Sequence, residues 1–147
     1  MFVPAVDWCA TFSAFEQFRY IPGKNYMGGR YDLDPPARAQ GWLTAIDAAS
    51  GAVKWKYRSP RPMVAAVTTT AGNLVLTGEL TGDFDVFDAG TGDVLYRFNT
   101  GGPMGGGVVT YAAGERQYIA VASGSPSNFW TESNPGSPTI VVFGLPR

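Results

Sequence analysis

Few of the side chains that usually carry chemistry are present in this 147-residue sequence: it has one cysteine, no histidine, and 12 Asp and Glu against 11 Lys and Arg. Without histidine there is no common general base, no common zinc ligand and no Ser-His-Asp triad, so nucleophilic hydrolysis of the usual kind is excluded. Cys9 stands alone, forms neither an internal disulfide nor a cysteine-built metal site, and reads as a small apolar packing residue. Asp7, Glu16, Asp32, Asp34, Glu79 and Asp83 offer oxygen ligands, but none has the close alternating spacing of a calcium loop, so no residue is assigned to a metal. The run Gly101 to Gly107 lacks the Lys-Ser/Thr and the following helix of a phosphate loop and reads as a tight connection. Phe129 and Trp130 are different. They lie side by side in a stretch rich in Pro, Gly and Ser, without strand alternation to bury them, where they fit either as lids over a flat aromatic ligand or as a plug at one end of the fold.

The elements that must position them come from a repeat. The segment 41–57, Gly41-Trp42-Leu43-Thr44-Ala45-Ile46-Asp47 through Val53-Lys54-Trp55-Lys56-Tyr57, recurs at 82–98 with an offset of 41 residues. Pro62-Met63 likewise maps onto Pro103-Met104, and Val67 onto Val108. Each copy reads as two strands around a tight turn, in which Asp47 or Asp88 accepts backbone hydrogen bonds and Gly51 or Gly92 supplies a positive φ. Further strands are expected at Met1 to Val6, Ala10 to Phe12, Met63 to Thr70, Asn73 to Thr77, Val108 to Tyr111, Gln117 to Ala122 and Thr139 to Phe143. Residues 20–40 and 123–138 read as long loops. About four strands per 41-residue unit is the arithmetic of a β-propeller blade. The fold class is therefore all-β, a partial propeller of about three four-stranded blades, with Trp55 and Tyr96 packing blade on blade.

Composition agrees with that reading and narrows the partners. With 45% hydrophobic and 16% charged residues, 19 Gly and 11 Pro, the sequence suits short strands and turns. Its formal charge of -1 and lack of a basic run argue against nucleic acid. No apolar run approaches a membrane span, and the N-terminus does not read as a signal peptide.

The motifs also resemble a known family. Ala45-Ile46-Asp47-Ala48-Ala49-Ser50-Gly51-Ala52-Val53-Lys54-Trp55 and its copy Val86 to Tyr96 are similar to the tryptophan docking motifs of dehydrogenases that use pyrroloquinoline quinone (PQQ). Ser50 stands where the family usually has Thr, and Tyr96 where it has Trp. Thr69 to Gly78 and Gln117 to Gly124 resemble strands of the methanol and ethanol dehydrogenase type, and Phe2-Val3-Pro4 and Val142 to Pro146 fit its last portion. The resemblance covers nearly the whole chain and implies the C-terminal end, residues 1–147, of an eight-bladed periplasmic propeller enzyme that oxidises an alcohol or sugar. It implies that Phe129 and Trp130 lie close to PQQ, with Ser123, Gly124, Ser125 and Asn128 as weaker candidates. The catalytic aspartate, the calcium or lanthanide site and most quinone contacts would lie outside this chain, which would then be inactive alone. Its partner is expected to be the remainder of the propeller, or other copies of itself through open blade edges. A non-enzymatic propeller module for protein assembly is the alternative; it would not need the stretch from Ala122 to Trp130.

Overall fold

The computed structural model describes residues 1–17, 20–124, 130 and 135–144. Its strands are all antiparallel and fall into three blades and one extra hairpin. The first blade consists of β1 (Phe2–Asp7), β4 (Gln40–Ile46) and β5 (Val53–Ser59), in the order β1-β4-β5. The second contains β6 (Thr68–Thr69), β7 (Leu74–Gly78), β8 (Asp83–Asp88) and β9 (Val94–Asn99), paired in sequence order. The third contains β10 (Val108–Ala113), β11 (Arg116–Ser123) and β12 (Thr139–Gly144). The fold is thus a partial propeller in which, among the described residues, only the middle blade has four strands.

Two parts of the sequence reading change. Gly29–Leu33, expected within a loop, forms β3 and pairs with β2 (Ala10–Ala14). Both strands are largely exposed, so the buried-exposed alternation that marks strands in a sequence is missing there. Conversely, of the strand expected from Met63 to Thr70 only Thr68–Thr69 pairs. Met63 and Ala65 are instead buried in the connection between blades, and the Ala66 N–H donates to the Gly106 carbonyl at 3.0 Å.

Strand periodicity explains how the middle blade fills both interfaces. Successive side chains of a strand point to opposite faces. On β7 and β8, Leu76, Phe84 and Val86 pack toward the third blade with Met104, Val108 and Val121. Val75 and Phe87 turn the other way and pack with Leu43 and Met63, flanked by Trp55 and Tyr57. The pairings make the interfaces equivalent: Thr69 opposes Val75 and Val75 opposes Phe87, while Thr110 opposes Ile119 and Ile119 opposes Phe143. Phe143 is therefore the counterpart of Phe87, Phe98 of Tyr57, and Tyr96 of Trp55.

Trp55 closes the first interface. Its indole contacts the rings of Phe2 (5.6 Å) and Phe87 (6.3 Å) and packs on Gly92, and its Nε1 donates to the Ala89 carbonyl at 3.0 Å. The two repeat turns are held as their sequence suggests. Asp47 Oδ1 accepts from the N–H groups of Ala49 and Ser50, and Asp88 Oδ1 from those of Gly90 and Thr91. The Ser50 N–H first, then Lys54, holds the Asp47 carboxyl well below the usual range. Thr91 and Gly90 do the same for Asp88.

The same interface also buries an ionic cluster. Glu79, directly after β7, accepts from Tyr57 Oη and from Ser59 Oγ, both at 2.6 Å. Arg97 on β9 donates to Asp85 through Nε (2.6 Å) and Nη2 (3.1 Å), and Nη2 also reaches Tyr57 Oη (2.6 Å) and Glu79 Oε1 (3.3 Å). Both carboxyl groups are buried, so two acidic side chains share one guanidinium out of water. Burial raises the Asp85 carboxyl from 3.8 to about 7; Arg97 opposes that rise and Glu79 adds to it.

Asp85 consequently binds its proton more tightly in the folded than in the unfolded chain. Its ionisation removes stability progressively as pH rises from 3.8 toward 7. Asp85→Asn keeps an acceptor for Arg97 but cannot ionise. Thermal melts across pH 4 to 8 are expected to show the variant gaining on the parent as pH rises; a constant difference would refute a protonated Asp85. Asp7, Asp47 and Asp88, whose folded-state values are lowered, act in the opposite sense, and their contribution is lost as pH falls below the ordinary carboxylate range.

Candidate functional site

The long connections of the outer blades emerge at one end of the sheet assembly. Between β7 and β8 the chain turns within Glu79 to Gly82, whose N–H donates back to the Glu79 carbonyl at 3.0 Å. At the corresponding place in the first blade, between β1 and β4, residues 8–39 are inserted with the β2–β3 hairpin. In the third, residues 124–138 lie between β11 and β12. The two insertions meet. Trp8, at the end of β1, and Trp130, in the loop after β11, hold their rings 5.7 Å apart at an interplanar angle of 44°.

Neighbouring hydrogen bonds orient this corner. Trp8 Nε1 donates to the Asp34 carbonyl at 2.8 Å, tying the start of the insertion to its end. Asp7 accepts from Gln40 Nε2 (2.8 Å) and Trp42 Nε1 (3.0 Å), and these bonds, Trp42 first, hold its carboxyl below the ordinary range. Lys56 Nζ sits 3.8 Å from the centre of a Trp42 ring, a cation–π contact on the same sheet.

The base of the Trp130 loop is anchored by close backbone packing. Ser123 Oγ lies 2.7 Å from Thr100 Oγ1, one hydroxyl donating to the other, and each lies 3.0 Å from the Gly102 carbonyl oxygen. Gly124 has φ +86°, and a Cβ there would run into the Ser137 carbonyl. Gly124→Ala is therefore expected to cost about 2 kcal/mol or more, from a left-handed backbone and a clash together. Gly51→Ala, with φ +74° and open space around it, should cost only about 1 kcal/mol. Equal costs in denaturant melts would remove the claim that the loop base is tightly packed.

Of the residues singled out from sequence, Trp130 is half-buried against Trp8, while Phe129, Ser125 and Asn128 lie outside the described residues. Ser123 is buried and engaged with the protein's own backbone, which gives it an anchoring role. Trp8 is not among the sequence candidates; its signal is an aromatic residue at a strand end directly before a long insertion. The Trp8–Trp130 corner brings two indole rings together from the first and third blades. Among the described residues no three His, Cys, Asp or Glu side chains gather as a metal site.

Fold and repeats together define a partial β-propeller. No protein-family model matches the chain. Curated relatives do: quinoprotein alcohol dehydrogenase PedH of Pseudomonas putida is 35% identical over 124 residues, covering 84% of this chain and 21% of that protein. The lanthanide-dependent methanol dehydrogenase of Methylorubrum extorquens is 31% identical over 126 residues, with the same two shares. Among solved structures, a europium-containing methanol dehydrogenase matches with a TM-score of 0.73 and 27% identity, over 84% of this chain and 22% of that one. The quinohemoprotein alcohol dehydrogenase from Comamonas testosteroni shares the fold with a TM-score of 0.81 at 23% identity, over 97% of this chain and 23% of that one. The chain is homologous to the quinoprotein alcohol and methanol dehydrogenases and spans 21% of the length of the two curated relatives above. No described helix is long and apolar enough to cross a membrane.

Proposed function

We propose that this chain is the C-terminal segment of a periplasmic PQQ-dependent dehydrogenase acting on an alcohol or sugar. It contributes propeller blades and, through Trp130 and Phe129, one wall of the quinone pocket. The observation that carries this reading is the Trp8–Trp130 pair, which brings the longest connections of two blades together as an aromatic surface. PQQ supplies, when bound, the oxidising group, while the base and the calcium or lanthanide ion are held by residues outside this chain. The residues present orient the ring and exclude water from one side of it.

The open faces support association with the rest of a propeller. On the third blade Ile140 and Val142 are 67% and 50% exposed, beside exposed Val109 and Tyr111. Such a contiguous apolar sheet face is a surface that another blade would cover.

Two measurements test the reading. In protein carrying the whole propeller, Trp130→Ala should weaken PQQ binding about tenfold, or ~1.4 kcal/mol; unchanged affinity would overturn the pocket-wall role. The 147-residue chain alone, supplied with PQQ, calcium, ethanol and an artificial electron acceptor, should show no turnover. Measurable oxidation would overturn its dependence on the remainder.

A further inference from the structure

The insertion between β1 and β4 is closed on itself where it leaves the blade. Trp8 Nε1 donates to the Asp34 carbonyl at 2.8 Å, and the Asp34 N–H donates to the Cys9 carbonyl at 2.9 Å, so two bonds tie its start to its far end. Directly before Trp8, β1 stays in register with β4 as far as Asp7, which stands opposite Gln40 and accepts from the side chains of Gln40 and Trp42. Trp8 thus has its backbone set by a sheet on one side and by the Cys9–Asp34 bond on the other, and the edge of its ring by Asp34. The ring it meets belongs to another blade. Trp130 stands in the loop that begins at Gly124, and the two half-buried indoles lie 5.7 Å apart, tilted by 44°. The middle blade packs on the first through Val75 and Phe87 and on the third through Leu76, Phe84 and Val86, so this contact joins the outer two blades across its end.

We propose that Trp8 is the positioning residue for Trp130: the closed insertion holds the Trp8 indole, and that indole sets the place and tilt of Trp130 in the wall of the quinone pocket. The inference rests on the pocket-wall role proposed above for Trp130. A pair of rings is directional as well as apolar, so removing one ring frees the other to turn. Misplacing a binding group by about 1 Å is enough to change what a site holds. Trp8 acts through Trp130 and needs no contact of its own with the quinone.

PQQ affinity, measured in protein carrying the whole propeller, tests it by comparing Trp8→Ala, Trp130→Ala and the double variant. Trp8→Ala should weaken binding about fivefold and Trp130→Ala about tenfold, while the double variant should be no weaker than Trp130→Ala, because no ring is then left to position. Trp8→Phe keeps a ring and gives up only the bond to Asp34, so its affinity should return to within about threefold of the parent. Trp8→Leu keeps apolar bulk without a ring and should bind as weakly as Trp8→Ala, which it replaces should the alanine variant fail to fold. Losses that add in full in the double variant would overturn the proposal, as would parent-like affinity in Trp8→Ala or Trp8→Leu while Trp130→Ala is impaired. Parent-like affinity in Trp130→Ala would instead overturn the pocket-wall reading itself, and this inference with it.

Discussion

Replacing Arg97 by methionine is expected to destabilise the protein by about 3 kcal/mol, the largest single loss among the interblade polar contacts. The reason is what the substitution leaves behind. Asp85 and Glu79 are buried, and at pH 8, where Asp85 is ionised, removal of their shared guanidinium strands two carboxylates away from water, a change that costs about 3–5 kcal/mol in buried pairs. The Arg97 side chain is 43% exposed, so solvent screening places the expectation at the lower end. The repeat supplies the control. Asp85 has Val141 as its counterpart in the third blade, so that interface joins without this ion pair. The double variant Asp85→Val, Arg97→Met should therefore recover most of the loss, since Glu79 keeps its donors Tyr57 and Ser59. Urea unfolding of the two single variants and the double variant measures the coupling. Additive losses would mean that Arg97 acts through packing alone.

Trp55→Ala should cost about 3 kcal/mol, in the range for truncating a large aromatic residue in a packed interface. Three contributions are lost together: the rings of Phe2 and Phe87 lose their partner, the Ala89 carbonyl loses its donor, and the space between two blades opens. Trp55→Phe separates them, because it keeps a ring but removes the indole N–H, and should cost about 1 kcal/mol for the hydrogen bond with a further share for lost area. Circular dichroism is the suitable probe, since the substitution removes a fluorophore. Should Trp55→Ala melt within about 0.5 kcal/mol of the parent, which is the effect of an ordinary surface change, the blade-joining role of the residue would be untenable.

Different parts of this architecture were legible in the sequence to different degrees. The 41-residue repeat, the Asp-containing turns and the two strands around each were readable because local chemistry sets them: an Asx turn, a positive-φ glycine and period-two alternation need no distant partner. The β2–β3 hairpin escaped notice because neither of its strands buries a face, so no alternation was written into Gly29–Leu33. The ionic cluster left one readable trace, Asp85 within the apolar run Phe84-Asp85-Val86-Phe87, but nothing nearby announced its partners. Tyr57 lies 22 residues before Glu79, and Arg97 lies 18 after it. Likewise, Trp130 was picked out as an aromatic residue in a loop, whereas Trp8 gained its meaning only from proximity across two blades.

By itself, then, the sequence determined the all-β class, the blade as repeating unit and the resemblance to quinoprotein dehydrogenases. These depend on patterns within one repeat or one turn. Tertiary structure alone decided which residues meet: Trp8 with Trp130, and Glu79 with Tyr57 and Ser59. A blade interface joins side chains about one repeat apart, and whether two such side chains touch, share a proton or leave a void depends on their volumes and on the water excluded between them.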